Sequence, residues 1–391
     1  MPAGQTRTVP EAHQALTRLI RALLSLRPLA ETGHPVRLPL DASRLPTPVV
    51  HTAIELARML GLDLAPSGSD GPFAEVVAGV LRPVFTDPAL RAAGGLSAAA
   101  LSELLAEVVS DSAEGMRATA DVVTAEGTRL RSYRAGDPQH PPIVIASACG
   151  MPAQLCEEWM RFLSRDHFVI TWETRGLFGA VDSAESFDDL DHGLDAQAED
   201  LIAVMDHHGV PAAHVMGMCG GAVIAVSAAA RHPERVTSLS LWHGDFSGSP
   251  GPTTPHQDNL KALLTMAGQS RADAAMINLA LSQTTTAAVP PEVAHLVLYP
   301  YADDELFYRY CRLTGATMTS DVSGLLSHLS QPVLVVTSED DETAHPGGSH
   351  RAATILPAAQ LKVEPHGDHI SVFGAGPRLR RLMTDFLSAA C

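Results

Sequence analysis

An α/β fold built on a mostly parallel sheet, with helices on both faces and a helical region ahead of it, is the class predicted for this 391-residue chain. Three observations predict it. From Ala118 onward, short β-like runs alternate with amphipathic helical stretches. Most of those strand runs are apolar at successive positions, as strands covered on both faces must be. Before residue 117 the apolar residues recur at helical spacing instead. The chain is 46% hydrophobic and 18% charged, which supplies a large core and excludes disorder, collagen and coiled coil.

Taken in order, Leu16, Ile20, Leu23 and Leu24 mark a first helix, Ala53, Leu56, Ala57 and Leu60 a second, and Leu101, Leu104, Leu105 and Val108 a later one. No 20 to 50 residue repeat runs through them, so a solenoid is not expected. A meander of runs, Asp121–Ala125, Thr128–Tyr133 and Ile143–Ala146, then enters the sheet. Helix Cys156–Leu163, strand His167–Thr171, helix Ala196–His208, strand His214–Met216, helix Gly221–Ala230 and strand Thr237–Leu241 follow. Residues 246–330 are rich in Pro, Thr and Ala, show helical patches at Leu260–Met266 and Asp303–Arg312, and read as a helical insertion. Strands Val333–Thr337 and Gln360–Val363 and an amphipathic helix Arg378–Leu387 close the chain. The expected organisation is a helical region 1–117, a first core segment 118–245, a cap insertion 246–330 and a second core segment 331–391.

Twenty-seven Lys and Arg against 44 Asp and Glu give a net charge of −17, and the basic residues are scattered. Nucleic acid is therefore not an expected partner. Five cysteines (Cys149, Cys156, Cys219, Cys311 and Cys391) form an odd set without CxxC spacing, which argues against a disulfide framework or structural zinc. The charged opening stretch and the lack of a spanning apolar run point away from a signal peptide and a membrane, toward a cytoplasmic protein. The 18 histidines show no paired metal spacing and the glycines no GxGxxG, so neither a metal nor a dinucleotide cofactor is expected.

The most informative segment is Gly217-Met218-Cys219-Gly220-Gly221, between an apolar strand and an Ala-rich helix. A G-x-nucleophile-x-G pattern in that context makes a sharp turn that lifts one side chain off the backbone, and small residues two before and two after relieve the crowding. The side chain then sits at a helix N-terminus, where a thiolate is favoured and the Gly220 amide can face an oxyanion.

On these residues the chain from about 118 to 391 resembles the α/β-hydrolase superfamily. Trp172-Glu173-Thr174-Arg175-Gly176 is similar to that family's D-x-R-G turn with Glu for Asp, Asp206-His207-His208-Gly209-Val210 to the helix end before the elbow, and Arg231-His232-Pro233-Glu234-Arg235-Val236 to the turn after it. The resemblance implies a nucleophile, acid and histidine in that chain order. Cys219 stands where most relatives carry Ser; cysteine variants include dienelactone hydrolases, some thioesterases and polyhydroxyalkanoate synthases. His369, in Gly367-Asp368-His369, is the expected base, preferred over His366. Asp341 matches the expected acid, with Asp340 as its neighbour alternative and Asp245 as an earlier position that some relatives use. Cys149 is the first choice for a second oxyanion amide. Trp172, Phe178, Met218, Trp242 and Phe246 are candidates to line an acyl pocket.

Such a set performs acyl transfer through a thioester on Cys219. The expected activity is an acyltransferase taking an acyl group from coenzyme A or a carrier-protein thioester to a small-molecule hydroxyl or amine, with no cofactor. A thioesterase or ester/lactone hydrolase using the same residues is the enzymatic alternative, and a non-catalytic binding protein on the same fold is the other.

Overall fold

The structure, a computed structural model, describes residues 8–32, 46–63, 72–92, 97–178, 184–281 and 293–390. It divides into two compact units, Met1–Met116 with Asn278–Asp303, and Arg117–Ile277 with Asp304–Cys391. The expected insertion 246–330 is thus shared between them. Residues 278–303 group with the N-terminal helices because apolar side chains there find their partners in that unit.

The first unit contains α1 (Thr8–Ser25), α2 (Arg27–Glu31), α3 (Thr47–Met59), α4 (Pro72–Phe85), α5 (Pro88–Ala92), α6 (Ala98–Ser110) and α7 (Ala113–Met116). Helix α1 is its centre: Leu16, Leu19, Ile20 and Leu23 are fully buried, a stripe at helical spacing against α3, α4, α5 and α6. Ser97 caps α6 by accepting from the Ala100 amide, satisfying a donor that the first turn otherwise leaves open.

In the second unit a two-stranded hairpin pairs β1 (Val122–Val123) with β2 (Arg129–Leu130) around Gly127, whose φ of +86° suits the turn. The main sheet comprises β3 (Ser132–Ala135), β4 (Pro142–Ala146), β5 (Phe168–Trp172), β6 (Ala213–Met218), β7 (Val236–Trp242), β8 (Val333–Ser338) and β9 (Ala359–Glu364). Its order is β3-β5-β4-β6-β7-β8-β9, with β3 antiparallel and the rest parallel. Of the expected opening meander, β1 and β2 therefore form a separate hairpin, while β3 and β4 join the main sheet on either side of β5. The helices of the unit are α8 (Glu157–Leu163), α9 (Ala184–Asp188), α10 (Leu194–His207), α11 (Gly221–Arg231), α12 (Pro255–Ala267) and α13 (Arg271–Leu281). Helix α14 (Ala294–Val297) belongs to the first unit, where it packs on α2 and α4, and α13 ends across the boundary between the units. The second unit resumes with α15 (Asp304–Thr319), α16 (Ser323–Leu326), α17 (Pro346–Ile355) and α18 (Pro377–Ala390).

One face of the sheet buries Val144, Ile170, Val215, Leu239 and Val335 under α10, α11, α16 and α17. Side chains alternate along each strand, so the opposite face takes Met216, Met218 and Trp242, with Trp159 of α8 packed on Trp242 at 5.1 Å between ring centroids. At the end of β5, Arg175 is buried and makes a two-pronged bond to Asp200 of α10, at 2.7 and 2.6 Å, and also donates to the Asp191 and Ala196 carbonyls. This turn fastens the loop after β5 to α10. Among the described residues no helix is long and apolar enough to cross a membrane.

Candidate active site

The loops at the C-terminal ends of β4, β6, β7 and β8 converge, as ligand-binding loops do in open parallel sheets. Between β6 and α11 the backbone turns at Cys219, whose φ of +54° is a left-handed conformation that costs a non-glycine residue of order 1–3 kcal/mol. The turn is held by the Cys219 amide on the Trp242 carbonyl at 3.0 Å, while the Cys219 carbonyl accepts from Ala222 at 3.1 Å and Asp245 at 3.2 Å. The flanking glycines answer to space: a Cβ on Gly217 would lie 2.7 Å from the Ala222 Cα, and one on Gly221 2.1 Å from the Ala146 carbonyl oxygen. The result is a partly exposed Cys219 thiol at the head of α11.

His369 opens a 3-10 turn, His369–Gly374, capped by the Asp368 side chain on the Ser371 amide. Its Nδ1 donates to Asp341 Oδ2 at 2.9 Å, and both residues are buried. Asp341 Oδ1 accepts from the Thr343 and Ala344 amides at 2.9 and 2.8 Å. Burial alone would raise the Asp341 pKa, but its bonds from His243, His369 and the Ala344 amide hold it well below the ordinary carboxylate range. For His369 burial opposes protonation, yet the negative charge of Cys219, the bond to Asp341 and the contact with the Cys219 sulfur outweigh it and lift the imidazole well above its usual value. The other ring nitrogen, Nε2, is buried and spends itself on no nitrogen or oxygen partner. It is the atom left for Cys219 and a substrate.

The alternatives fall elsewhere. Asp340 pairs with His366 at 3.1 Å on the surface. Asp245 Oδ1 accepts from Gln257 Nε2 at 2.7 Å and from the Ser247 amide, and among the described residues no histidine is hydrogen-bonded to it. The Gly220 and Cys149 backbones approach each other: a Cβ on Gly220 would stand 3.8 Å from the Cys149 nitrogen and 3.5 Å from Thr317 Oγ1. Neither amide donates to an acceptor in any bond found among the described residues. The Cys149 thiol is buried, donates to Gln197 Oε1 at 3.3 Å, and is pushed up to about 11 chiefly by burial. The thiol is packing.

The aromatic candidates divide differently from the expectation. Met218 and Trp242 are fully buried in the α8 side of the sheet, and Phe246 joins the core of the other face beside Gly348 of α17. These three belong to the core, because strand-end apolar side chains gain more by completing the sheet faces than by lining a mouth. Trp172 closes the end of β5 within the same core. Phe178 lines a cleft of about 280 Å³ with Glu126, Arg129, Phe187 and Arg309, none of them in the elbow.

Three contributors went unnoticed in the sequence. His243, just after β7, is buried, left-handed at φ +47°, and donates from Nδ1 to the same Asp341 Oδ2 at 2.9 Å. Gln257, at the third position of α12, accepts from the Thr254 and His345 amides at 3.0 Å each and donates to Asp245, clasping the loops after β7 and β8 to the cap helix. His256 lies beside it, part of its ring covered and part open to solvent; the covered part and the neighbouring His369 lower its pKa, while Asp245 and Asp341 oppose. A polar residue immediately past a parallel strand was the available signal for His243. His243, Asp341 and His369 also bring ligand-type atoms within 4.8 Å of one another. Both ring Nδ1 atoms lie at hydrogen-bond distance from one oxygen, the geometry of two N–H donors on a carboxylate rather than of three lone pairs facing a cation.

The sheet architecture has counterparts among solved structures. An α/β hydrolase from a Medee basin deep-sea metagenome library superposes with a TM-score of 0.54 at 21% identity, over 67% of this chain and 95% of that one. This chain has the α/β-hydrolase fold. Esterase RhEst1 from Rhodococcus sp. ECU1013 gives a TM-score of 0.55 at 20% identity, covering 71% of this chain and all of that one. In sequence, the chain is 25% identical over 254 residues to a protein of Pseudomonas savastanoi pv. phaseolicola named as a carbamate hydrolase, RutD, covering 64% of this chain and 94% of that protein. No family model matches.

Proposed function

We propose that this α/β-hydrolase-fold protein is a hydrolase that cleaves an ester or thioester through an acyl-Cys219 intermediate. One observation carries the reading: a thiol raised on a strained elbow faces a buried imidazole whose Nδ1 is committed to Asp341 and whose Nε2 is uncommitted. Relatives named as carbamate hydrolase and esterase support hydrolysis as the outcome.

The Cys219 thiolate attacks the carbonyl carbon, and the oxyanion takes the Gly220 and Cys149 amides. The tetrahedral intermediate collapses, the bond to the leaving alcohol or thiol breaks, and His369 Nε2–H supplies its proton. Water then attacks the thioester while His369 Nε2 accepts one of its protons. The second collapse frees the carboxylic acid and returns the thiolate–imidazolium pair. Asp341 keeps the ring in the tautomer that does this and stabilises its charge.

A second reading is favoured by the identity of the nucleophile. An acyl-cysteine keeps the transfer potential of a thioester, so a hydroxyl or amine acceptor can replace water in the second step, the donor being an acyl-coenzyme A or acyl-carrier thioester. One experiment decides both. The protein is incubated with a panel of p-nitrophenyl esters and acyl-coenzyme A thioesters, with and without small amines and alcohols, and followed by intact mass and product analysis. Acyl adduct and free acid, both lost in Cys219→Ala, are the expected result. Acceptor-dependent ester or amide in place of acid favours transfer, and turnover unchanged in Cys219→Ala overturns both readings.

A further inference from the structure

Asp341 carries two imidazoles on one oxygen. His369 Nδ1 and His243 Nδ1 both lie 2.9 Å from Oδ2, the rings 6.0 Å apart and steeply inclined at 76°. His243 is held there at a cost. It is buried, its backbone is left-handed, and its amide is fixed to the Val336 carbonyl at 2.8 Å. A side chain kept in a sparsely populated backbone region is over-determined by its surroundings, and such positions cluster at functional sites. The turn at residues 243–245 needs no imidazole for itself, because Gly or Asn adopts this conformation more readily than His.

With the two amides on Oδ1, the carboxylate accepts four hydrogen bonds, close to its full capacity. A carboxylate so occupied cannot rotate to another partner, and its charge is divided between two rings. From this geometry we infer that His243 is a positioning residue for the reaction proposed above: it locks Oδ2 onto His369 Nδ1 and moderates how strongly Asp341 pulls on that ring. Charged and titratable groups around His369 come from four segments: Cys219 at the elbow, Asp341 after β8, His256 on α12 and, through Asp341, His243 after β7. Only the last acts on the back of the carboxylate. Without its donor, more negative density faces His369, which becomes more basic and less able to release its proton to the leaving group.

The test compares His243→Gly, which relaxes the backbone and removes the donor, with His243→Asn, which tolerates the same backbone and keeps a donor close to the ring Nδ1 position. Both are made in the Cys219→Ala background, where isotope-labelled histidine NMR follows His369 titration without substrate. The Gly variant is expected to raise that titration by about one unit, and the Asn variant to leave it within a few tenths. In chains that retain Cys219, kcat should fall about tenfold for Gly with KM unchanged, and recover in Asn. Equal shifts in the two variants, or none in either, overturn the inference. Should the Gly variant fail to fold, His243→Ser, too short to reach Oδ2, takes its place. Because the titration needs no turnover, loss of the NMR difference sinks the role of His243, whereas activity that persists without Cys219 sinks the reaction itself.

Discussion

Two Asp–His pairs, one residue apart at the acid and three apart at the histidine, have nearly the same bond length. Asp341–His369 measures 2.9 Å and Asp340–His366 3.1 Å. The first pair has side chains 0% and 5% exposed, the second 56% and 89%. In the buried pair each partner is pushed far from its ordinary pKa, and two amides and a second imidazole complete the carboxylate. In the outer pair water competes for every bond, so the contact is worth little. The same residue types perturb one another strongly only where the protein has removed the solvent.

The sharpest challenge to that contrast is the nucleophile. Cys219→Ala should reduce turnover by a factor of about 10⁴ or more in steady-state assays, with melting temperature little changed because the site is partly exposed. Next, Asp341→Asn should cost on the order of 10³ to 10⁴ in kcat by presenting His369 with the wrong partner, while Asp340→Asn and His366→Ala stay within about twofold. Comparable losses from the outer and inner substitutions would erase the difference between the two pairs.

Two further outcomes test whether burial governs stability in the same way. Asp200→Ala strips the buried Arg175 guanidinium of its two-pronged partner, leaving Glu126 at 3.5 Å as its remaining carboxylate, and should destabilise the fold by about 3 kcal/mol in urea titrations. His214, fully enclosed and bonded to Ser238 and Ser240 at 2.8 and 2.9 Å, is pushed down to about 3 by burial, with nearby His167 adding to it. Its folded pKa lies below the unfolded value, so the unfolded chain binds the extra proton. The stability it contributes is present above about pH 6.5 and is lost toward about pH 3, at up to about 1.4 kcal/mol per unit. His208 and His295, both lowered to about 4 chiefly by burial, act in the same direction. A urea midpoint that is flat between pH 7 and pH 5 would contradict this. At the smallest end, neutralising exposed Asp340 should leave that midpoint unmoved.

Much of the fold was legible because its code is local. Apolar runs of strand length at β4, β5, β6, β7 and β8, helical periodicity in α1, α3, α6, α8, α10, α11, α12, α15 and α18, and the Gly217-x-Cys219-x-Gly221 bend each depend on residues within a few positions of one another. The elbow glycines, the expected base and the expected acid all stand at strand ends that the pattern itself marks. The acyl-pocket aromatics were not legible, since a strand-end Trp242 or Phe246 reads alike whether it completes a core or lines a mouth.

By itself, then, the sequence determined the sheet, the bend that presents Cys219, and the short set of carboxylates and imidazoles available to it. Tertiary structure alone decided among them. It buried Asp341 and left Asp340 in water, gave Asp245 to Gln257, and brought His243 across 98 positions of chain onto the carboxylate that also holds His369. The physical reason is that solvent exclusion, which sets both the strength of a hydrogen bond and the pKa of its partners, belongs to a place in space rather than to a stretch of chain.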